Sequence, residues 1–105
     1  MSTTEDRIIE KIKAVRTSAA MYHIAGRVMG HELATVEGDT GAGIVITSDG
    51  QAMIGDNLHL GPAAALRRNV AGLVEAAGLD SAERAYFWDR YRLAVRDMSG
   101  GQYEL

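Results

Sequence analysis

Gly43-Ile44-Val45-Ile46-Thr47-Ser48-Asp49-Gly50-Gln51-Ala52-Met53-Ile54-Gly55 decides the fold. Two short runs rich in β-branched and apolar residues flank a Ser-Asp-Gly turn, the composition of a β-hairpin. The long stretches on either side read as helix. The hairpin is therefore the expected centre of the only regular sheet, and the helices must pack on it.

The turn sets which side chains share a face. A two-residue Asp49-Gly50 loop would pair Thr47 with Ala52 and put Ile44, Ile46 and Met53 together. A turn with Gly50 in the left-handed region, followed by a bulge, sets Thr47 opposite Gln51 instead. Ile44, Ile46, Ala52 and Ile54 then form one apolar face, and Val45, Thr47, Gln51 and Met53 a mixed one. The second register separates the two kinds of residue cleanly, and a slip of one residue would reverse every side chain. Glycine also holds φ > 0 without strain. The bulged register is thus the expected one. Its mixed face retains Val45 and Met53, and a lone two-stranded ribbon is marginal in water. More of this chain, or a second copy, is expected to cover them.

At 105 residues, 47% hydrophobic and 24% charged, the chain has the size and composition of one globular domain. The domain is expected over residues 1–98, followed by a flexible tail over 99–105. The absence of cysteine rules out a disulfide framework, thiolate metal ligands and a cysteine nucleophile. No apolar run approaches the roughly 20 residues of a membrane-spanning helix. The polar, acidic start Ser2-Thr3-Thr4-Glu5-Asp6 does not resemble a secretory signal. These features point to a cytoplasmic protein without membrane contact. The net charge of −3 argues against general affinity for nucleic acid. Residues 28–66 contain no Lys or Arg, but hold Glu32, Glu37, Asp39, Asp49 and Asp56. The hairpin region should therefore present a negative surface.

Upstream of the hairpin, Ser2 with Glu5, or Thr3 with Asp6, can cap a helix, the first pair being closer to the capping-box pattern. Ile8, Ile12, Val15, Ala19 and Tyr22 fall at spacings of four and three, the stripe of an amphipathic helix. The stripe predicts one long helix to about residue 30, with Gly26 and Gly30 on one face where a partner approaches closely. A strand over residues 22–28 is the competing reading. Leu33-Ala34-Thr35-Val36 offers a third strand, and Glu37-Gly38-Asp39-Thr40-Gly41-Ala42-Gly43 reads as a connector. That glycine-rich connector lacks a following Lys-Ser/Thr, leads into a strand and carries two acids, so it does not fit a phosphate loop.

Downstream, Asp56-Asn57-Leu58-His59-Leu60 reads as a connection and Gly61-Pro62 as the opening of a helix, with proline at its first position. Leu66, Val70, Leu73, Val74 and Ala77 form that helix's stripe. Gly78-Leu79 is a left-handed stop and Asp80 with Glu83 resembles a capping box, so a second helix begins at once. The two are expected to pack as an αα-hairpin. Phe87, Trp88, Tyr91, Ala94, Val95 and Met98 should face the core from the last helix, with Tyr86 and Leu93 beside Arg90 on a second strip. The fold class is α+β: a long N-terminal helix, a central antiparallel hairpin with room for a third strand, and a C-terminal αα-hairpin.

No motif carries identifiable chemistry. His23 and His31 lie about 80° apart on a helix and two turns separated, and His59 has only Asp56 near it, so no metal or other cofactor is expected. No nucleophile elbow or paired-carboxylate motif is present, so a non-catalytic protein is expected. Two interaction classes remain. The segment 70–81 and the helix after it resemble a generic helix-turn-helix, which makes Arg92 and Arg96 candidate DNA contacts. Both lie late on the helix, and Arg84 occupies a position usually apolar. The other class is a self-associating interaction or regulatory module. It uses Val45 and Met53 on the hairpin and Tyr86, Arg90 and Leu93 on the last helix, since Tyr and Arg are enriched at interfaces. A homodimer is the expected assembly, with a larger protein as the other candidate partner. This module is the preferred reading and DNA binding the alternative.

Overall fold

The computed structural model describes residues 3–34, 44–54 and 58–101. Four helices and three antiparallel strands follow in the order α1 (Thr4–Lys13), α2 (Ala19–Met29), β1 (Ile44–Ile46), β2 (Gln51–Ile54), β3 (Leu58–Pro62), α3 (Ala63–Ala77) and α4 (Ser81–Met98). The α+β class and the order of elements are as expected from sequence.

The hairpin adopts the bulged register. Ile44 pairs with Ile54, Val45 with Met53 and Ile46 with Ala52. Gly50 sits at φ 81° and its N–H closes the turn on the Thr47 carbonyl at 2.9 Å. Ile44, Ile46, Ala52 and Ile54 are all buried, whereas Val45 is 39% exposed. One face therefore belongs to the core and the other does not.

The third strand comes from elsewhere than expected. Residues 33 and 34 are not in a strand, and 35–43 lie outside the described residues. Instead Leu58–Pro62, read as a connection, pairs with β2 in the order β1-β2-β3, with a register shift between Ala52 and Met53. His59 thereby stands opposite Met53. Hydrogen bonding to a neighbouring strand recruits a segment whose own composition signals no strand. Pro62 ends β3 and N-caps α3 with φ −61°, one position earlier than the first-turn site expected.

The long N-terminal helix is two helices. Thr3, rather than Ser2, caps α1 in a reciprocal box with Asp6. The apolar stripe runs through residues 14–18, but Ser18 turns its hydroxyl to the Met21 N–H and starts a new helix there. A hydroxyl beside the backbone offers it an alternative to continuing the helix. The Tyr22 hydroxyl then donates to the Val15 carbonyl, an acceptor at the break. His31, after the end of α2, meets Glu5, near the start of α1, at 3.5 Å. The two helices are therefore an antiparallel hairpin. Gly26 and Gly30 serve the end of α2, not a passing helix. A Cβ on Gly26 would lie 2.3 Å from the His31 carbonyl oxygen, and Gly30 is the left-handed cap at φ 73°.

The C-terminal pair differs in the opposite sense. Gly78 (φ 67°) and the Asp80–Glu83 box form as expected. Yet α3 and α4 do not pack closely along their lengths, because α1 packs against both; α3 lies on β2 and β3, and α4 on β1 and α2. Their link is aromatic: the Arg67 guanidinium stacks 4.4 Å from the Trp88 ring centroid, and Trp88 meets Phe87 and Tyr91 edge to face. Phe87, Tyr91, Ala94, Val95 and Met98 are buried, and Trp88 is half-buried beside them. Residues 99–101 are hydrogen-bonded onto the last turns of α4, while 102–105 lie outside the described residues.

Candidate functional site

The break between α1 and α2 borders a concavity. A groove of about 650 Å³ lies between the α1–α2 turn, the first turns of α2, β3 and α3. Met21, Ile24, Leu60, Leu66 and Leu73 form an apolar wall. Arg16, Arg68, Asn69 and His59 supply polar groups around it, with Thr17 and Ser18 in the turn. No carboxylate lines it, and neither arginine makes an ion pair among the described residues. The start of α2 also borders the groove, where first-turn amides have no intrahelical acceptor. His59 is the one signal in the sequence; Arg16 lines the same groove as Arg68 and Asn69 only because the chain turns back at residue 18.

The residues expected at a partner interface divide into two places. Val45 and Met53 are cross-strand partners on the mixed face of the sheet, where Met53 is half-buried and His59 continues the row on β3. Arg90 and Leu93 line a second groove of about 370 Å³ between α2 and α4, together with Arg27, Gly30 and Asp97. Leu93 is 45% exposed there, and Arg90 lies over the left-handed cap of α2, where a cation complements the helix terminus. Tyr86 is half-buried against the protein's own core, so this part of the second strip is covered internally. Val45 and Leu93 are the large apolar side chains left exposed among the described residues.

Of the candidate DNA contacts, Arg92 pairs with Asp89 at 3.2 Å, and Arg96 lines a shallow depression with Leu93, Asp97, Gly100 and Gly101. At the start of α4, Glu83 is buried and holds Lys11 at 2.5 Å and Arg7 at 3.5 Å, and Arg84 turns back to the Leu79 carbonyl at 3.5 Å. The hydrogen bond from Lys11, then that from the Asp80 backbone and the two cationic charges, hold the Glu83 carboxyl below its usual range against the opposing effect of burial. Burial pushes the Tyr91 phenol up to about 12, and its hydroxyl has no hydrogen-bond partner among the described residues.

No three His, Asp or Glu side chains converge as metal ligands among the described residues. His23 turns Nδ1 to the Ala34 carbonyl at 3.0 Å, and His31 faces Glu5. No helix is long and apolar enough to cross a membrane among the described residues. No known protein family, curated protein or solved structure matches this chain.

Proposed function

We propose that this protein is a small, non-catalytic interaction module of the cytoplasm that self-associates through the mixed face and outer edge of its sheet. The observation that carries this reading is Val45, 39% exposed on β1, the edge strand, beside its half-buried partner Met53. Proteins protect edge strands with lysine, proline or inward charge, and β1 (Ile-Val-Ile) has none of these. A second copy related by a twofold axis would present the same strand and the same Val45–Met53 pair, as a symmetric interface requires. Leu93 and Arg90, in their own groove, are the surface left for a different protein.

Light scattering at micromolar concentration is expected to give a mass near twice 11.3 kDa. Val45→Lys, an outward change on an edge strand, is expected to return the monomer without loss of helical signal. A monomeric parent chain at that concentration overturns the reading. DNA binding through Arg92 and Arg96 is the alternative, and it has less support, since Arg92 is engaged by Asp89. Duplex binding at low salt that weakens in Arg92→Ala with Arg96→Ala would favour it.

A further inference from the structure

The geometry points to the groove between α2, α3 and β3 as the binding site of a small amphipathic carboxylate, with the apolar body on the wall and the head group at the arginines. This goes beyond self-association and does not rest on it. At about 650 Å³ the groove has the size of small-molecule sites, which span roughly 300–1,000 Å³. Its chemistry has two halves. Met21 and Leu60, both half-buried, offer an aliphatic or aromatic body a surface to leave water for, backed by the buried Ile24, Leu66 and Leu73. Arg16 and Arg68 come from separate elements to the same groove, unpaired among the described residues and without an acid beside them in the lining. Guanidinium binds carboxylate in a bidentate fashion, and two of them without a counter-ion favour an anion over a neutral or cationic ligand.

Gly72 is the independent observation. It lies inside α3, where glycine is unfavourable relative to alanine, and no left-handed backbone requires it. A Cβ built on Gly72 meets nothing within 4 Å, so no neighbouring atom demands its absence. A side chain at this exposed position would stand in open space at the groove that Gly72 lines. The residue that weakens the helix keeps the concavity open. Gly26 shows the contrast, since its missing Cβ is enforced by a backbone atom at 2.3 Å.

Calorimetric titration of the full chain with octanoate tests this. Octanoate is expected to bind at least tenfold more tightly than octanol, and Arg16→Gln with Arg68→Gln to remove most of that difference. Gly72→Phe should abolish octanoate binding while the far-ultraviolet circular dichroism melt stays cooperative. The same affinity for octanoate is expected in Val45→Lys, which separates this site from the sheet's interface. Absence of octanoate binding, equal affinity for octanol, or an unchanged affinity in the arginine double variant overturns the proposal. Retained binding in a folded Gly72→Phe overturns the location, and tighter binding of octyl phosphate overturns the carboxylate as head group. If Gly72→Phe does not fold, the two exposed arginines decide alone.

Discussion

At the scale of single residues, two helical glycines have opposite reasons to exist. Gly26 is buried in the last turns of α2, and the chain folds back so closely that the His31 N–H bonds to the Gly26 carbonyl at 2.8 Å. Gly26→Ala must push that backbone away and is expected to cost about 2 kcal/mol, the scale of overpacking a tight site. Gly72→Ala adds a methyl group to open space and is expected to stabilise the fold by about 0.5–1 kcal/mol through helix propensity alone. Urea unfolding of the two variants reads both signs. Equal destabilisation would show that Gly72 has a packing role. From the sequence, Gly26 is recognisable as a close approach, but its partner is not, because the atoms involved come from the same chain five residues on, and Gly30 is a left-handed cap instead.

Among the elements, Glu83 joins the start of α4 to α1. It caps its own helix and also takes Lys11 and, at longer range, Arg7 from the facing one. Because its pKa is lowered from the ordinary 4.5, the stability it contributes is present above that value and is lost as pH falls through the lowered one. The stability gap between the parent chain and Glu83→Gln should therefore be full at neutral pH and shrink below about pH 4.5. Lys11→Gln should move the acid-unfolding midpoint upward. Acid titrations followed by circular dichroism check both, and a gap that does not change between pH 7 and 3 would show that the ion pair is idle. The capping box is legible in the sequence and the ion pairs are not, since Glu83 and Lys11 are 72 positions apart and meet only when α1 lies along α4. The C-terminal helix pair forms as the sequence implies, and a second helix pair, α1 with α2, forms where the sequence reads as one helix. The short Gly78 turn joins α3 to α4, yet α1 packs against both, while the uninterrupted stripe of residues 8–22 folds back on itself at Ser18.

Over the whole molecule, the proposed self-association would use one face and the outer edge of the sheet. A dimer held there exists only in the folded state, so dissociation by dilution removes part of its stability. The melting temperature of the parent chain is expected to rise with protein concentration, and that of Val45→Lys to remain constant. Parallel melting series over a hundredfold concentration range give the answer. A parent chain whose melting temperature ignores concentration contradicts self-association. The groove lies on the α2–α3 side, so both surfaces can be occupied in the same molecule; His59, on the mixed face of the sheet and at the rim of the groove, is the residue they share.

The hairpin register was determined locally. Ile44, Ile46, Ala52 and Ile54 share a face only if Gly50 adopts φ > 0, and both the turn and the alternation are written in thirteen consecutive residues. The caps at Gly78 and Asp80 and the inward stripe of α4 were legible for the same reason, since each depends on residues within two or three turns. Tertiary structure decided the rest. A hydroxyl at Ser18 outcompeted an unbroken apolar stripe because the shorter helices bury Ile8, Ile12, Ile24 and Met29 in one core. Leu58–Pro62 became a strand because β2 offered it hydrogen bonds. The groove arose from those two events together, and no local pattern could announce it, because its walls are elements that the chain brings together only by folding.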